Sequence, residues 1–195
     1  MWRWVFIAIF ALGAWHFRSA RAVEQPAGIL IAAEPDQVPL DERQPSLSKP
    51  GYRIKPLQRF SLDARVLGTE RYWFDRGADL APVDLALGWG PMSDTAVLGQ
   101  IDISQGGRFF FWHVERFPIP RHDIEVNSAN MHMIPADANV EAALKSLRVG
   151  QLVHFSGYLV EVAGTDGWRW RSSLTRGDTG NGACELVWVE ELHIR

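Results

Sequence analysis

At 195 residues, with 47% hydrophobic and 22% charged side chains, the chain has a globular rather than a disordered composition, and its length fits one domain with appendages. A formal charge of −3 argues against a sequence-independent grip on nucleic acid, which works by neutralising phosphates. The single cysteine, Cys184, excludes an internal disulfide, so a body of this size has to be held by its apolar core.

The first element expected is an address. "MWRWVFIAIFALGAWHFRSARA" places Arg3 before a charge-free run from Trp4 to Trp15, followed by His16, Arg18 and Arg21. That order is an export signal, with Ala20 and Ala22 as small residues at a cleavage position. Trp2, Trp4 and Trp15 mark both ends of the run, as interfacial aromatic belts do. Residues 1–22 are therefore read as an uncleaved anchor helix with the body outside the cytoplasm. The alternative is cleavage near Ala22, giving a secreted or periplasmic body. Residues 23–51 contain five prolines and no sustained periodicity, the pattern of an extended tether. Gly28-Ile29-Leu30-Ile31 is an apolar island in it that can dock on the body.

From residue 52 to 195 a single domain is expected, about 140 residues long. Phe60, Leu62, Ala64 and Val66 alternate with Arg59, Ser61, Asp63 and Arg65, as in a half-buried strand. The stretch from Arg71 to Asp94 reads as turn-rich, with Ser93 capping a short helix whose face is Val97, Leu98 and Ile101. "GGRFFFWHV" reads as a strand buried on both sides, and "IEVNSANMHMIPA" as extended chain. Val140, Ala143, Leu144 and Leu147 have helical spacing, with Asp137 or Asn139 as the cap and Gly150 just past the end. A hairpin follows through Thr165-Asp166-Gly167, and "CELVWVEELHI" is the last strand. Within the hairpin, alternation puts Trp168, Trp170 and Ser172 on one face. Arg169, Arg171 and Ser173 fall on the other, with the arginines facing Glu161 across the pair. The fold class expected is mainly β (α+β).

"LKSLRVGQLVHFSGYLVEV" resembles the junction between the helix and the fourth strand of OB-folds, where a glycine relieves crowding as the strand bends. The resemblance implies a small OB-like β-barrel with one or two short helices. The stretches "GWGPMSD", "SANMHMIPA" and "WRWRSSLTRGDTGNGACEL" are similar to those of uncharacterised bacterial membrane-anchored envelope proteins, which implies a location, single-pass in a bacterial inner membrane with the body in the periplasm, and does not bear on activity.

Several motifs carry chemistry in other settings. Asp178-Thr179-Gly180 has the letters of an aspartic protease, but that chemistry needs two carboxylates sharing a proton and no second copy exists. His113, His122, His132 and His154 lie far apart, without His-x-x-x-His or Cys-x-x-Cys spacing, so neither a metal nor a cofactor is expected. Three polar-rich loops are expected to converge at one end of the barrel. They supply Trp89, Asn130, His132, Ser173, Arg176 and Asp178 as candidate ligand-binding residues. The competing reading is that these side chains cap turns and satisfy buried backbone. The function expected is an anchored extracytoplasmic binding or assembly module without catalytic activity. It would take an envelope protein partner or a small polar ligand, and no nucleic acid. The alternative is a hydrolase or redox enzyme using Cys184, His132 and Asp178 as nucleophile, base and orienting acid.

Overall fold

A computed structural model describes residues 21–41, 45–175 and 184–195. In chain order the strands are β1 (Asp36–Pro39), β2 (Leu47–Lys49), β3 (Tyr52–Arg71), β4 (Val83–Gly88), β5 (Asp102–Gly106), β6 (Phe109–His113), β7 (Ser128–Pro135), β8 (Leu152–Gly164), β9 (Arg169–Arg171) and β10 (Glu185–Ile194). The helices are α1 (Thr95–Leu98), α2 (Arg121–Val126) and α3 (Ala138–Ser146), with a 3-10 turn at Gly90–Ser93. The expected N-terminal anchor falls almost wholly on residues 1–20, outside the described residues. Among the described residues no helix is long and apolar enough to cross a membrane.

The protein is mainly β, built on one mixed sheet of eight strands that partly closes on itself. The path runs β3, β4, β7, β10, β8, and a further pairing of β8 with β3 joins its ends into a ring. All ring pairings are antiparallel except β7 with β10, which is parallel. β1 and β2 branch from β3, and β9 branches from β8. β5 and β6 form a separate two-stranded hairpin.

Alternation decides what each face does. Phe60, Leu62, Ala64 and Val66 of β3 point inward with Leu85 and Leu87 of β4, Met131 and Met133 of β7, Phe155 and Leu159 of β8, and Val187 of β10. The register of β3 on β8 slips between Pro56 and Gln58, so Ile54 leaves this core although it shares the parity of Phe60. Ile54 packs on a second cluster outside the ring, with Ile134, Val160, Val162, Leu186, Trp188 and the half-buried Trp168 and Trp170. The long β3 thus serves two cores because of one bulge.

Several expectations held. The helix is Ala138–Ser146, and the Asp137 side chain caps it by accepting from the Asn139 and Val140 backbone N–H groups. The hairpin parity also held: Arg169 and Arg171 are exposed and both meet Glu161, while Trp168 and Trp170 lie on the packed face.

Other expectations are corrected. The stretch read as turn-rich contains β4, whose six residues are all buried. Sheet packing on both faces overrides the surrounding Gly and Pro signals. "GGRFFFWHV" is not buried on both sides, since Phe109 and Phe111 of β6 are exposed and only Phe110 and Trp112 pack inward, over Ile101 and Ile124. Ile124 to Val126, the start of the stretch read as extended, belong instead to the helix Arg121–Val126. Asp94, not Ser93, caps α1, accepting from the Ala96 N–H. Ser93 Oγ is instead a buried acceptor for the Leu30 and Ile31 N–H groups. That contact is the docking expected of the Gly28–Ile31 island, and other parts of the segment read as a tether lie on the body as well. Val23 N donates to Val149 O, Gly90 N donates to Ile31 O, and β1 and β2 both pair with β3.

Gly157 shows how closely the ring is drawn. A Cβ there would stand 1.8 Å from the Trp188 carbonyl oxygen, where β10 is irregular between Val189 and Glu191. Gly157→Ala should therefore destabilise the fold by about 2–3 kcal/mol, the upper range for overpacking. Gly106→Ala, with nothing within 4 Å of its Cβ, should cost well under half as much. Urea unfolding of the two variants beside the parent checks this.

Candidate functional site

The site begins with one carboxylate. Asp84 lies in β4 among Val83, Leu85 and Ala86 and has no solvent exposure. It points to the outer face of the ring, opposite His132 of β7. A charge placed there costs several kcal/mol unless partners surround it. Arg108 Nη1 donates to Asp84 Oδ1 at 2.8 Å. His132 Nδ1 lies 2.9 Å from the same oxygen, off the line of a hydrogen bond. Asn130, two residues back on β7, reaches Asp84 Oδ2 at 3.5 Å and donates to the Arg108 carbonyl at 3.1 Å. Gln105 donates to Asn130 Oδ1 at 2.8 Å.

Arg108 comes from the tip of the β5–β6 hairpin. Gly107 and Arg108 both have positive φ, 60° and 72°, which is the two-residue turn matched to strand twist. For arginine this left-handed conformation costs about 1–2 kcal/mol. The side chain is held so heavily that the strain is offset. Nε and Nη2 bond both oxygens of Asp75 at 2.7 Å, and Nη1 bonds the Ala81 carbonyl as well as Asp84. The guanidinium lies 3.6 Å from the centre of the Tyr72 ring, and the Tyr72 hydroxyl accepts from Arg108 N–H. Burial works against the Arg108 charge, but its hydrogen bonds to Asp75 and the field of Asp84 outweigh it and raise its pKa. Burial, reinforced by Asp84, pushes the Tyr72 phenol up to about 12, so it stays neutral.

Over this network lies a cavity of about 420 Å³. His132 and Cys184 stand in its wall beside Trp168 and Trp170, with Arg76 and Phe109 at other points of the lining. His132 and Trp170 are in ring contact, centroids 4.6 Å apart. Gly77 lets its loop lie against Trp170, where a Cβ would come within 2.9 Å of the indole. The result is an aromatic wall edged with guanidinium groups. It suits a ligand with an apolar face and negative charge.

The structure brings some of the expected residues together and separates others. His132 lines the cavity, and Asn130 stands behind it in the Asp84 network. Ser173 is buried next to the cavity wall, its N–H donating to the Cys184 carbonyl. Trp89 is elsewhere: it is buried in the inner core, packed with the residues inside the ring. Arg176 and Asp178, with the Asp178-Thr179-Gly180 triplet, lie outside the described residues. Asp84, Arg108, Tyr72 and Asp75 went unread. The available signal was Asp84 itself, a lone charge in "VDLAL", which has to find a partner if that strand is buried. Among the described residues no group of three or more His, Cys, Asp or Glu is placed to hold a metal ion.

Compared with known proteins, the chain matches no family model, no curated protein and no solved structure. Its reading therefore rests on its own geometry.

The Arg108 hydrogen bonds hold Asp75 below the usual carboxylate range, against its partial burial. An acid with a depressed folded pKa contributes stability above its unfolded value, about pH 4, and loses it as pH falls through the lower folded value. Asp75→Asn should thus be less stable than the parent at pH 7, and the gap should close as pH drops below about 4. The gap is moderated by solvent screening, since the Asp75 side chain is 37% exposed. Urea midpoints of both proteins across that pH range provide the check.

Proposed function

We propose that the protein is a membrane-anchored extracytoplasmic binding module whose ligand occupies the cavity over Asp84, without catalysis. The observation that carries this is the contrast between the two sides of the cavity floor. Below it, Asp84 and Arg108 are fixed in a largely buried network. Above it, Trp168, Trp170 and Arg76 present apolar area and charge on a prepared surface. Preorganisation of this kind lowers the ordering cost of binding.

The strand connectivity supports reading the ring as an OB-like barrel. Three antiparallel strands, β3, β4 and β7, are followed by α3 and then by β8 and β10, with β10 parallel to β7. Such barrels bind ligands on the outer face of their strands and in the adjoining loops. The Trp170 cavity occupies that kind of position. The anchor and the periplasmic body are proposed from the order of Arg3, the apolar run and Arg18. The similarity of three stretches to bacterial membrane-anchored envelope proteins points the same way.

A second reading has one observation in its favour. Cys184 and His132 line the same cavity, and Asp84 stands 2.9 Å behind the imidazole, a nucleophile–base–acid order with Asp84 in the place first given to Asp178.

One experiment separates these readings. Full-length protein is purified in detergent from its native envelope and weighed by mass spectrometry under native and denaturing conditions. The binding module predicts an added mass that is absent after Trp170→Ala and released on denaturation. Bare protein, or an added mass kept by Trp170→Ala, contradicts it. An adduct on Cys184 that survives denaturation favours the enzyme.

A further inference from the structure

One wall of the cavity is a sheet edge. β9 pairs with β8 on one side and ends its branch of the sheet, so among the described residues no strand pairs its other side. The ladder fixes which backbone groups face outward. Gly164 N–H donates to the Trp168 carbonyl, and Ser172 N–H donates to the Val160 carbonyl. Residues 168 and 172 therefore turn their backbone toward β8. Alternation along an antiparallel pair places Trp170 with them, and the N–H and C=O groups of Arg169 and Arg171 on the free edge. Both arginines line the cavity. An edge of this kind is a template for strand addition.

Charge says what should add to it. The charged residues of the lining are Arg76, Arg108, Arg169, Arg171 and Asp75. Arg108 is committed to Asp75 and to Asp84, and Arg76 meets Asp166. Arg169 and Arg171 share the single carboxylate of Glu161, which reaches them from the β8 side. Two exposed guanidinium groups with one acid between them leave a positive surplus at the free edge.

Resting on the binding-module reading, we propose that the ligand is an extended acidic peptide that adds to the free edge of β9 as a further strand. Register sets its pattern. Peptide residues opposite Arg169 and Arg171 put their side chains on the arginine face and are acids, in position to pair across the strands. The residue between them falls on the face of Trp168 and Trp170 and is apolar, entering the aromatic wall. The motif is acid–apolar–acid in extended chain. A single small anion satisfies the guanidinium groups but leaves the backbone edge unused.

The test titrates full-length protein in detergent against a dye-labelled, capped peptide with a central Glu-Leu-Glu flanked by threonines, read by fluorescence polarisation. Two control peptides isolate the two contacts. One carries Gln-Leu-Gln; the other keeps both acids but is N-methylated on the two glutamate amides, which removes the ladder donors. The proposal predicts that each control binds about tenfold or more weakly than the parent peptide. It also predicts that the double variant Arg169→Gln, Arg171→Gln weakens the acidic peptide about tenfold and leaves the Gln-Leu-Gln peptide unchanged, with its melting temperature within a degree or two of the parent. Equal binding of the N-methylated peptide overturns strand addition, and equal binding of Gln-Leu-Gln overturns acid selection. Full displacement by millimolar inorganic phosphate shows a simple anion site and also overturns the proposal. If no peptide binds while the native mass measurement still finds a ligand lost with Trp170→Ala, the peptide proposal falls and the cavity reading stands. If neither is seen, both fall.

Discussion

A carboxylate with no solvent exposure has to be balanced where it stands, and the arrangement around Asp84 follows from that need. One partner, His132, is supplied across the ladder by β7. The other, Arg108, arrives from a hairpin that belongs to a different sheet. Because the guanidinium also grips Asp75 in the loop after β3, one side chain joins hairpin, loop and ring. The left-handed backbone of Arg108 is the cost of bringing it there, and its hydrogen bonds offset that cost. Removing Asp84 would leave a partly buried cation facing an apolar strand, a far larger loss than that of a surface pair.

This constraint also shapes the cavity. With Arg108 held between Tyr72 and Asp84, its guanidinium lies 5.5 Å from the Trp170 ring and forms part of the lining. Trp170 in turn touches His132 and Trp168, so the aromatic wall has a fixed orientation. The charges that remain adjustable are at the rim, where Arg76 meets Asp166 and where Arg169 and Arg171 meet Glu161. A fixed floor and an exchangeable rim are what a selective binding surface requires.

Where local pattern and final environment agreed, the fold was legible in the sequence. The inward set of β3, the Asp137-capped α3, and the parity of Trp168 to Arg171 all follow from periods of 3.6 and 2. Long-range facts were not legible. β4 is flanked by turn residues and is a strand because it is covered on both faces. The exposed side of β6 looked buried because Phe109 to Trp112 are all apolar, and composition cannot tell a packed face from a presented one. In the segment from Val23 to Pro39 only the docking of the Gly28–Ile31 island was legible, because backbone pairing of Val23 with Val149 and the β1–β3 ladder leave no local trace. For the site, His132 was legible as a polar residue in an apolar strand, but its neighbours Asp84 and Arg108 are 48 and 24 residues distant and meet it only through ring register and hairpin docking.

The central claim is that Arg108 and Asp84 act as a unit that fastens the hairpin to the ring. A double-mutant cycle tests it most directly, using urea unfolding of the parent, Asp84→Ala, Arg108→Ala and the double variant. The account predicts a coupling of about 2–3 kcal/mol, since either single substitution leaves the other partner of the buried pair without its counter-charge there. Additive losses, with coupling below about 0.5 kcal/mol, would contradict it.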